Sequence, residues 1–270
     1  EVILMANFER ETVEKYLPLL LRNMTTGKDF DFDFNRDFKP GYERSKEALA
    51  KDNKTRAAVY TPAYVVRRMT LMLAGQTGWL TPLFKDSGCE VFMSTFSNAI
   101  RTTFIEPCCG EAPFICMRYD AVTGEPIPIL EREGILDQKF CDGVYQHPIF
   151  PMLYAGFYED AKLAVKSVYG FENDIPSLII ARMNVLLTFI EWTHYYFGHS
   201  RDFKKHPVPT NDEIKEIAEI ICWNFWQMDF LNPADEVIKD WKTGEIIRFK
   251  DLLKKEEKQF TFLLGGEHEI

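Results

Sequence analysis

A doubly wound α/β fold with a mostly parallel sheet, preceded by a helical extension, is what the order of elements in this sequence predicts. From about residue 100 onward, short apolar runs alternate with longer amphipathic stretches in the order strand, helix, strand, helix, strand. That order is the pattern of parallel strands joined by helical crossovers. Three of the apolar runs meet an acidic residue at or just past their ends: Glu106, Glu172 and Asp229. The chain accordingly divides into a helical N-terminal extension, 1–54, and an α/β domain, 55–270, that carries an insertion around 119–157.

The elements follow in order. Residues 8–24 read as a helix with an apolar stripe of Val13, Leu17, Leu20 and Leu21, despite Pro18. The alternating run Asp29-Phe30-Asp31-Phe32-Asp33-Phe34-Asn35-Arg36-Asp37-Phe38 puts phenylalanines on one face and aspartates on the other if it is extended. A calcium loop beginning at Asp29 would need glycine and glutamate where Phe34 and Pro40 stand, so the run reads as an arm that docks its phenylalanines. A second helix covers 43–51. Thr61 as cap and Pro62 at the first helical position open a third, which runs to about Ala74 with Gly75 beyond its end. Phe104-Ile105 is a strand that meets a turn of small residues, and 119–150 reads as a long irregular insertion. Helix 158–166 feeds a strand over 167–172. Asp174 and Pro176 start the helix 177–192, and a helix from Asp212 leads to a strand over 225–230. A last strand is expected over 259–264, before Gly265 and Gly266.

Composition narrows the class. The 270 residues are 46% hydrophobic, 14% aromatic and 27% charged, ample for a sizeable core and incompatible with wholesale disorder or a collagen-like repeat. The most apolar stretch, 178–192, is interrupted by Arg182, Asn184 and Glu191, which argues against a membrane span. Met5 is read as the natural start, and residues 1–5 lack the basic region of a secretory signal, so a cytoplasmic protein is expected. A net charge of −9 leaves no chain-wide basic footprint for nucleic acid, so contact with DNA would have to come through a partner or a local patch. The six cysteines form no Cys-x-x-Cys pair, and the histidines (His147, His194, His199, His206, His268) do not fall at metal-ligand spacing beside cysteines or carboxylates. Reduced thiols and no metal are expected.

The chemistry concentrates at the strand ends, since open parallel sheets bind ligands beyond the carboxyl ends of their strands. A carboxylate after the second strand can accept both hydroxyls of a ribose, and one after the third can accept from an adenine amino group. Small residues at Gly110 and Ala112 let backbone N–H groups approach a ligand closely. Each carboxylate taken singly is better explained as a helix cap or a solvated surface group. Three in strand-end register make a nucleoside-like ligand the better reading.

Two segments carry a family resemblance. Thr55-Arg56-Ala57-Ala58-Val59-Tyr60-Thr61-Pro62 and Phe104-Ile105-Glu106-Pro107-Cys108-Cys109-Gly110-Glu111-Ala112-Pro113-Phe114 together resemble the S-adenosylmethionine-binding half of N6-adenine DNA methyltransferases of restriction–modification systems. The first is similar to that family's Tyr-Thr-Pro helix start. The second is similar to its Asp/Glu-Pro-x-Cys-Gly-x-Gly-x-Phe loop, with Ala112 in place of the second glycine. Tyr169-Gly170-Phe171-Glu172, with the helix carrying Ala181-Arg182-Met183-Asn184, resembles the ribose-binding segment, and Gln227-Met228-Asp229-Phe230-Leu231 the adenine-binding one. The likeness covers roughly residues 55–264. It implies a Rossmann-like methyltransferase fold and S-adenosyl-L-methionine as cofactor. Tyr60, Thr61 and Pro62 would shape the methionine end of the pocket, Glu106, Cys108 and Gly110 would surround the methionine, Glu172 would hold the ribose and Asp229 the adenine.

The sequence departs from the family in two ways. The interval from Glu106 to Glu172 far exceeds the usual step of about 20 residues, so an insertion must loop out. The family's catalytic Asn-Pro-Pro-Tyr, whose asparagine receives the target amino group and whose aromatic stacks on the flipped base, is not found. At the expected point stands Leu264-Gly265-Gly266-Glu267-His268, and Asn232-Pro233-Ala234-Asp235 reads as a turn. The leading expectation is a component of an adenine-specific DNA methyltransferase that needs a second methyltransferase or specificity polypeptide for catalysis and for contact with DNA. A non-catalytic cofactor-binding or regulatory protein is the second, and a small-molecule methyltransferase using Glu267 or His268 the third.

Overall fold

The computed structural model describes residues 10–43, 61–77, 81–82, 92–93, 100, 102–145, 153–198, 209–230, 233 and 236–251. At its centre three parallel strands, β1 (Phe104–Glu106), β2 (Val168–Glu172) and β3 (Phe225–Gln227), lie side by side in chain order. Phe104 pairs with Val168, and Gly170 pairs with Phe225. Around the sheet run α1 (Arg10–Leu20), α2 (Ala63–Thr77), α3 (Ile135–Tyr145), α4 (Leu153–Lys166), α5 (Ile175–Phe197) and α6 (Asn211–Asn224). An antiparallel hairpin, β4 (Val237–Lys239) and β5 (Ile246–Arg248), follows the sheet, and Thr81–Pro82 makes a two-residue antiparallel ladder with Phe92–Met93. The architecture is α/β with a parallel sheet.

Strand alternation sorts the side chains into two cores. Val168 and Phe225 face the helices in the larger cluster, which takes in residues of α1, α3, α4, α5 and α6. Phe171 and Trp226 face the other way and are covered by Trp223, Met228, Ile238 and Phe249. Helix α5 is long and apolar enough to cross a bilayer by length and composition, but most of it is enclosed by the rest of the protein. It is apolar all round because it is surrounded. Its start is fixed as expected: Asp174 accepts from the backbone N–H of Ser177, and proline occupies the first turn. Helix α6 opens with a complete capping box between Thr210 and Glu213.

The N-terminal residues are built into this core. Arg182 on α5 is fully buried and donates to the carbonyls of Leu20 (2.6 Å), Arg22 (2.9 Å), Cys222 (3.4 Å) and Phe225. It thereby joins the end of α1 to the junction of α6 and β3. Phe30 lies with its ring 5.4 Å from the same guanidinium.

Several expectations need correction. The insertion is not irregular: it holds a 3₁₀ turn at Ile129–Glu131 and the eleven-residue α3. Tertiary bonds stabilise that helix, because buried Asp137 accepts from Met117 N–H (2.8 Å) and Trp192 Nε1 (2.8 Å). The alternating arm is not extended throughout. Asp33 caps a helical turn at Phe34–Asp37, a local bond that outcompetes the strand pattern, although Phe30, Phe32, Phe34 and Phe38 still pack on the core. Helix α2 passes through Gly75 to Thr77. The capping oxygen for Ala63 N–H is Asp120 Oδ2 (2.7 Å), supplied by the insertion instead of by Thr61. Helices α4 and α5 extend beyond the expected 158–166 and 177–192, and β3 stops at Gln227. The expected helix over 43–51, strand over 259–264 and most of the turn at 232–235 lie outside the described residues.

Replacing Arg182 tests the joint between the N-terminal residues and the core. Arg182→Met would leave four carbonyls without their donor, at a cost of about 3–5 kcal/mol. Urea unfolding should show a large fall in midpoint. Arg182→Lys should recover little of it, since an ammonium cannot reproduce the planar fork. An unchanged midpoint in Arg182→Met would contradict the assignment.

Candidate functional site

The three strands end together, and the chain after β1 turns back over their ends. Cys109 N–H continues the ladder by donating to Phe171 O (2.9 Å). The backbone then passes through two left-handed residues, Gly110 (φ +53°) and Ala112 (φ +63°), with Ala112 N–H closing the turn on Cys109 O at 2.7 Å. A side chain at Gly110 would meet no atom within 4 Å, so this residue faces open space. Ala112 stands where the resembled loop carries its second glycine, and it adopts the glycine-type conformation. At Gly170 a Cβ would come within 2.6 Å of the Phe225 ring and 3.0 Å of Cys109 Sγ. Glycine there lets the loop sit down on the sheet.

Glu172 holds the site together. Its Oε2 accepts from Gly110 N–H and its Oε1 from Asp174 N–H, each at 2.9 Å. One carboxylate therefore joins the loop after β1 to the start of α5. An ionised carboxylate offers about four acceptor directions. Two of them remain, enough for a vicinal diol.

Glu106 differs in kind. Its Oε2 is buried and has no hydrogen-bond partner. Burial pushes its carboxyl up to about 8. Exposed Cys108 lies among the acids: burial, then the carboxylates of Glu172, Glu106 and Asp229, raises its thiol. Buried Cys109 is raised further, by burial and then by Glu172 and Glu106. Asp229 itself is exposed just past β3. The structure thus brings Glu106, Cys108, Gly110, Glu172 and Asp229 to one place.

Thr61 and Pro62 immediately precede α2. The helix they precede packs Val66 and Ala63 against Phe114, Met117 and Ile127, downstream of Ala112. Among the described residues no hydrogen bond joins them to the carboxylates. Tyr60 lies outside the described residues. Among the described residues no group of three or more His, Cys, Asp or Glu side chains could hold a metal ion, and Cys108, Cys109, Cys116, Cys141 and Cys222 are not joined in disulfides.

Sequence reasoning missed the loop's other anchor. Glu111 is buried; its carboxylate accepts from Gly41 N–H (2.6 Å) and from the Tyr119 hydroxyl (2.8 Å), and its carbonyl accepts from Asn184 Nδ2 (2.8 Å). Arg118 supports the same Asn184 and, with Arg132, pairs with Glu191. Burial alone would raise Glu191, yet the two guanidiniums outweigh it and hold the carboxyl below its ordinary range. A glutamate between two small residues gives no sequence signal for such a role.

Comparison with protein-family models, with curated proteins and with solved structures returned no match. Fold and site together define an α/β protein whose three parallel strands end at a cluster of carboxylates.

The buried Glu106 carboxyl makes stability depend on pH. A carboxyl whose pKa rises on folding, from 4.5 to about 8, stabilises the protein fully below pH 4.5. That contribution is lost as pH rises through about 8. Glu106→Gln removes the ionisation, so it should raise Tm by several degrees near pH 8 and change it little near pH 4.5. Thermal scans at the two pH values check this; an equal shift at both would count against it.

Proposed function

We propose that this chain is the S-adenosylmethionine-binding component of an adenine-specific DNA methyltransferase of the restriction–modification type. In this reading the sheet belongs to a larger Rossmann-like, doubly wound one. A second methyltransferase or specificity polypeptide supplies the catalytic motif and the contact with DNA. The observation that carries the proposal is the facing pair at the ends of β1 and β2: the open backbone at Gly110 and the Glu172 carboxylate, 2.9 Å apart, with Asp229 beyond the next strand.

The residues fit an adenosyl ligand. Glu172 keeps two acceptor directions for a ribose diol. The Gly110 backbone faces open space, and Glu106 has an unpartnered buried carboxyl oxygen at the end of β1. Glu172 and Asp229 would repel the phosphates of a dinucleotide or nucleoside triphosphate, which speaks for a ligand without phosphates. Strands lying in chain order match one half of a doubly wound sheet, in which the first three strands run outward from the switch point. When bound, S-adenosylmethionine supplies an electrophilic methyl group on a sulfonium. The chain's own residues would bind and orient it.

A net charge of −9 favours the second reading, a regulatory protein that binds the cofactor without catalysing transfer. The two readings share the site and differ only in what a partner adds.

Titration calorimetry of the full chain should detect S-adenosylmethionine and S-adenosylhomocysteine. Asp229→Ala removes an exposed side chain outside the structural bonds of Glu172. It should weaken binding roughly ten- to a hundredfold, the worth of one charge-assisted hydrogen bond. No binding by the wild type would overturn the proposal. In a methyl-transfer assay on mixed-sequence DNA the chain alone should show no turnover, and turnover should appear when the partner polypeptide is added. Turnover without a partner would contradict the two-chain reading. Persistent inactivity with the partner, alongside intact cofactor binding, would favour the regulatory one.

A further inference from the structure

We infer that the strand-end site is proton-coupled: Glu106 carries a proton in the ligand-free chain and releases it to solvent when the positively charged methionyl end of the ligand enters. The inference rests on the S-adenosylmethionine reading above and adds to it what the ligand does to the protein's own charge.

The geometry places an acid with an unpartnered buried oxygen at the end of β1, next to Cys108 and Cys109. Glu106 is the last residue of β1, and the chain from Pro107 to Gly110 folds back over the strand ends. Its Oε2 reaches neither solvent nor a hydrogen-bond donor. Every other carboxylate in this region whose bonds are described has found donors. Glu172 takes two backbone N–H groups, Asp174 takes the N–H and hydroxyl of Ser177, and Glu111 takes Gly41 and Tyr119. A donor brought by a ligand would complete Glu106.

The groups around it do not supply a countercharge. From β2 comes Glu172, from the segment after β3 comes Asp229, and from its own loop come Cys108 and Cys109. From α5, Arg182 lies near Cys109, but its guanidinium is committed to the carbonyls of Leu20, Arg22, Cys222 and Phe225. Burial favours the neutral acid, and desolvation raises Glu106 to about 8. Around pH 7 the ligand-free carboxyl is therefore mostly protonated.

An ammonium or sulfonium at hydrogen-bond distance lowers a carboxyl pKa by roughly 1–3. That range carries Glu106 across neutrality. The O–H bond breaks, the electron pair stays on the carboxylate, the proton goes to buffer, and the cation becomes the countercharge. A neutral adenosyl compound offers no such cation. Two consequences follow at equilibrium. Binding near pH 7 releases roughly four- to nine-tenths of a proton per ligand, and affinity for the cationic ligand weakens by up to roughly fiftyfold from pH 8 to pH 6.

Calorimetric titrations of the full chain at pH 7, in phosphate and in Tris, count the protons, because the two buffers take them up with different enthalpies. The probes are S-adenosylmethionine and 5′-methylthioadenosine, which lacks the methionyl end. Release with the first and none with the second is expected. Glu106→Gln, checked for folding by circular dichroism, should bind S-adenosylmethionine without release and with an affinity flat from pH 6 to pH 8. Binding of S-adenosylmethionine by the wild type with no proton released and no pH dependence would overturn this inference and leave the function proposal standing. Release that persists in Glu106→Gln, or that accompanies 5′-methylthioadenosine equally, would assign the proton to another group and also overturn it. No binding at pH 6 or pH 8 would remove both.

Discussion

One carboxylate organises the strand ends. Glu172 accepts from Gly110 on one side and Asp174 on the other, so the loop after β1 and the first turn of α5 share a single acceptor group. The loop can reach it only because Gly170 has no side chain between Cys109 and Phe225. It can turn there only because Gly110 and Ala112 adopt left-handed backbone, at a cost of roughly 1–2 kcal/mol at the alanine. Beside this bridge, at the end of β1, Glu106 keeps a buried carboxyl oxygen without a donor. The position of the loop and the acceptor directions that remain on Glu172 both follow from that one bridge.

Beneath the site, buried charges hold the scaffold. Arg118 and Arg132 converge on Glu191, Asp137 joins the loop after Cys116 to Trp192, and Lys139 donates to the carbonyls of Ile100 and Thr102 and the hydroxyl of Ser167. Such groups add modest net stability, because desolvation offsets much of their attraction, but their directional bonds admit few alternative packings. Each bond joins segments distant in sequence. The contrast with Glu106 is informative: Glu191 and Asp137 are held by several donors each, whereas Glu106 Oε2 is buried without one.

The sequence made the sheet legible because its strands are short apolar runs bounded by acids, and Glu106, Glu172 and Asp229 could be located without any contact information. Helix α5 was legible from Asp174 and Pro176. What escaped was whatever depends on tertiary bonds. Helix α3 rests on Asp137 meeting Trp192, 55 residues away, and the Glu111 anchor rests on Gly41, 70 residues away. One miss had a signal. Asp120-Ala121-Val122-Thr123-Gly124-Glu125 and Asp240-Trp241-Lys242-Thr243-Gly244-Glu245 share the pattern Asp-x-x-Thr-Gly-Glu. In both, aspartate accepts from the next two accessible N–H groups and glycine turns left-handed, at φ +74° and φ +77°. These side chains write a tight hairpin turn, and the second would have announced β4 and β5.

The central claim is that Gly110, Glu172 and Asp229 form one ligand site. The most direct measurement is a backbone amide NMR titration of the isotopically labelled full chain with S-adenosylmethionine. The account predicts that the amides of Gly110, Asp174 and Asp229 shift together and saturate on one binding curve, while those of the Asp240–Gly244 turn stay in place. Perturbation centred on any other surface, with the Gly110 and Asp174 amides unmoved at saturation, would contradict it.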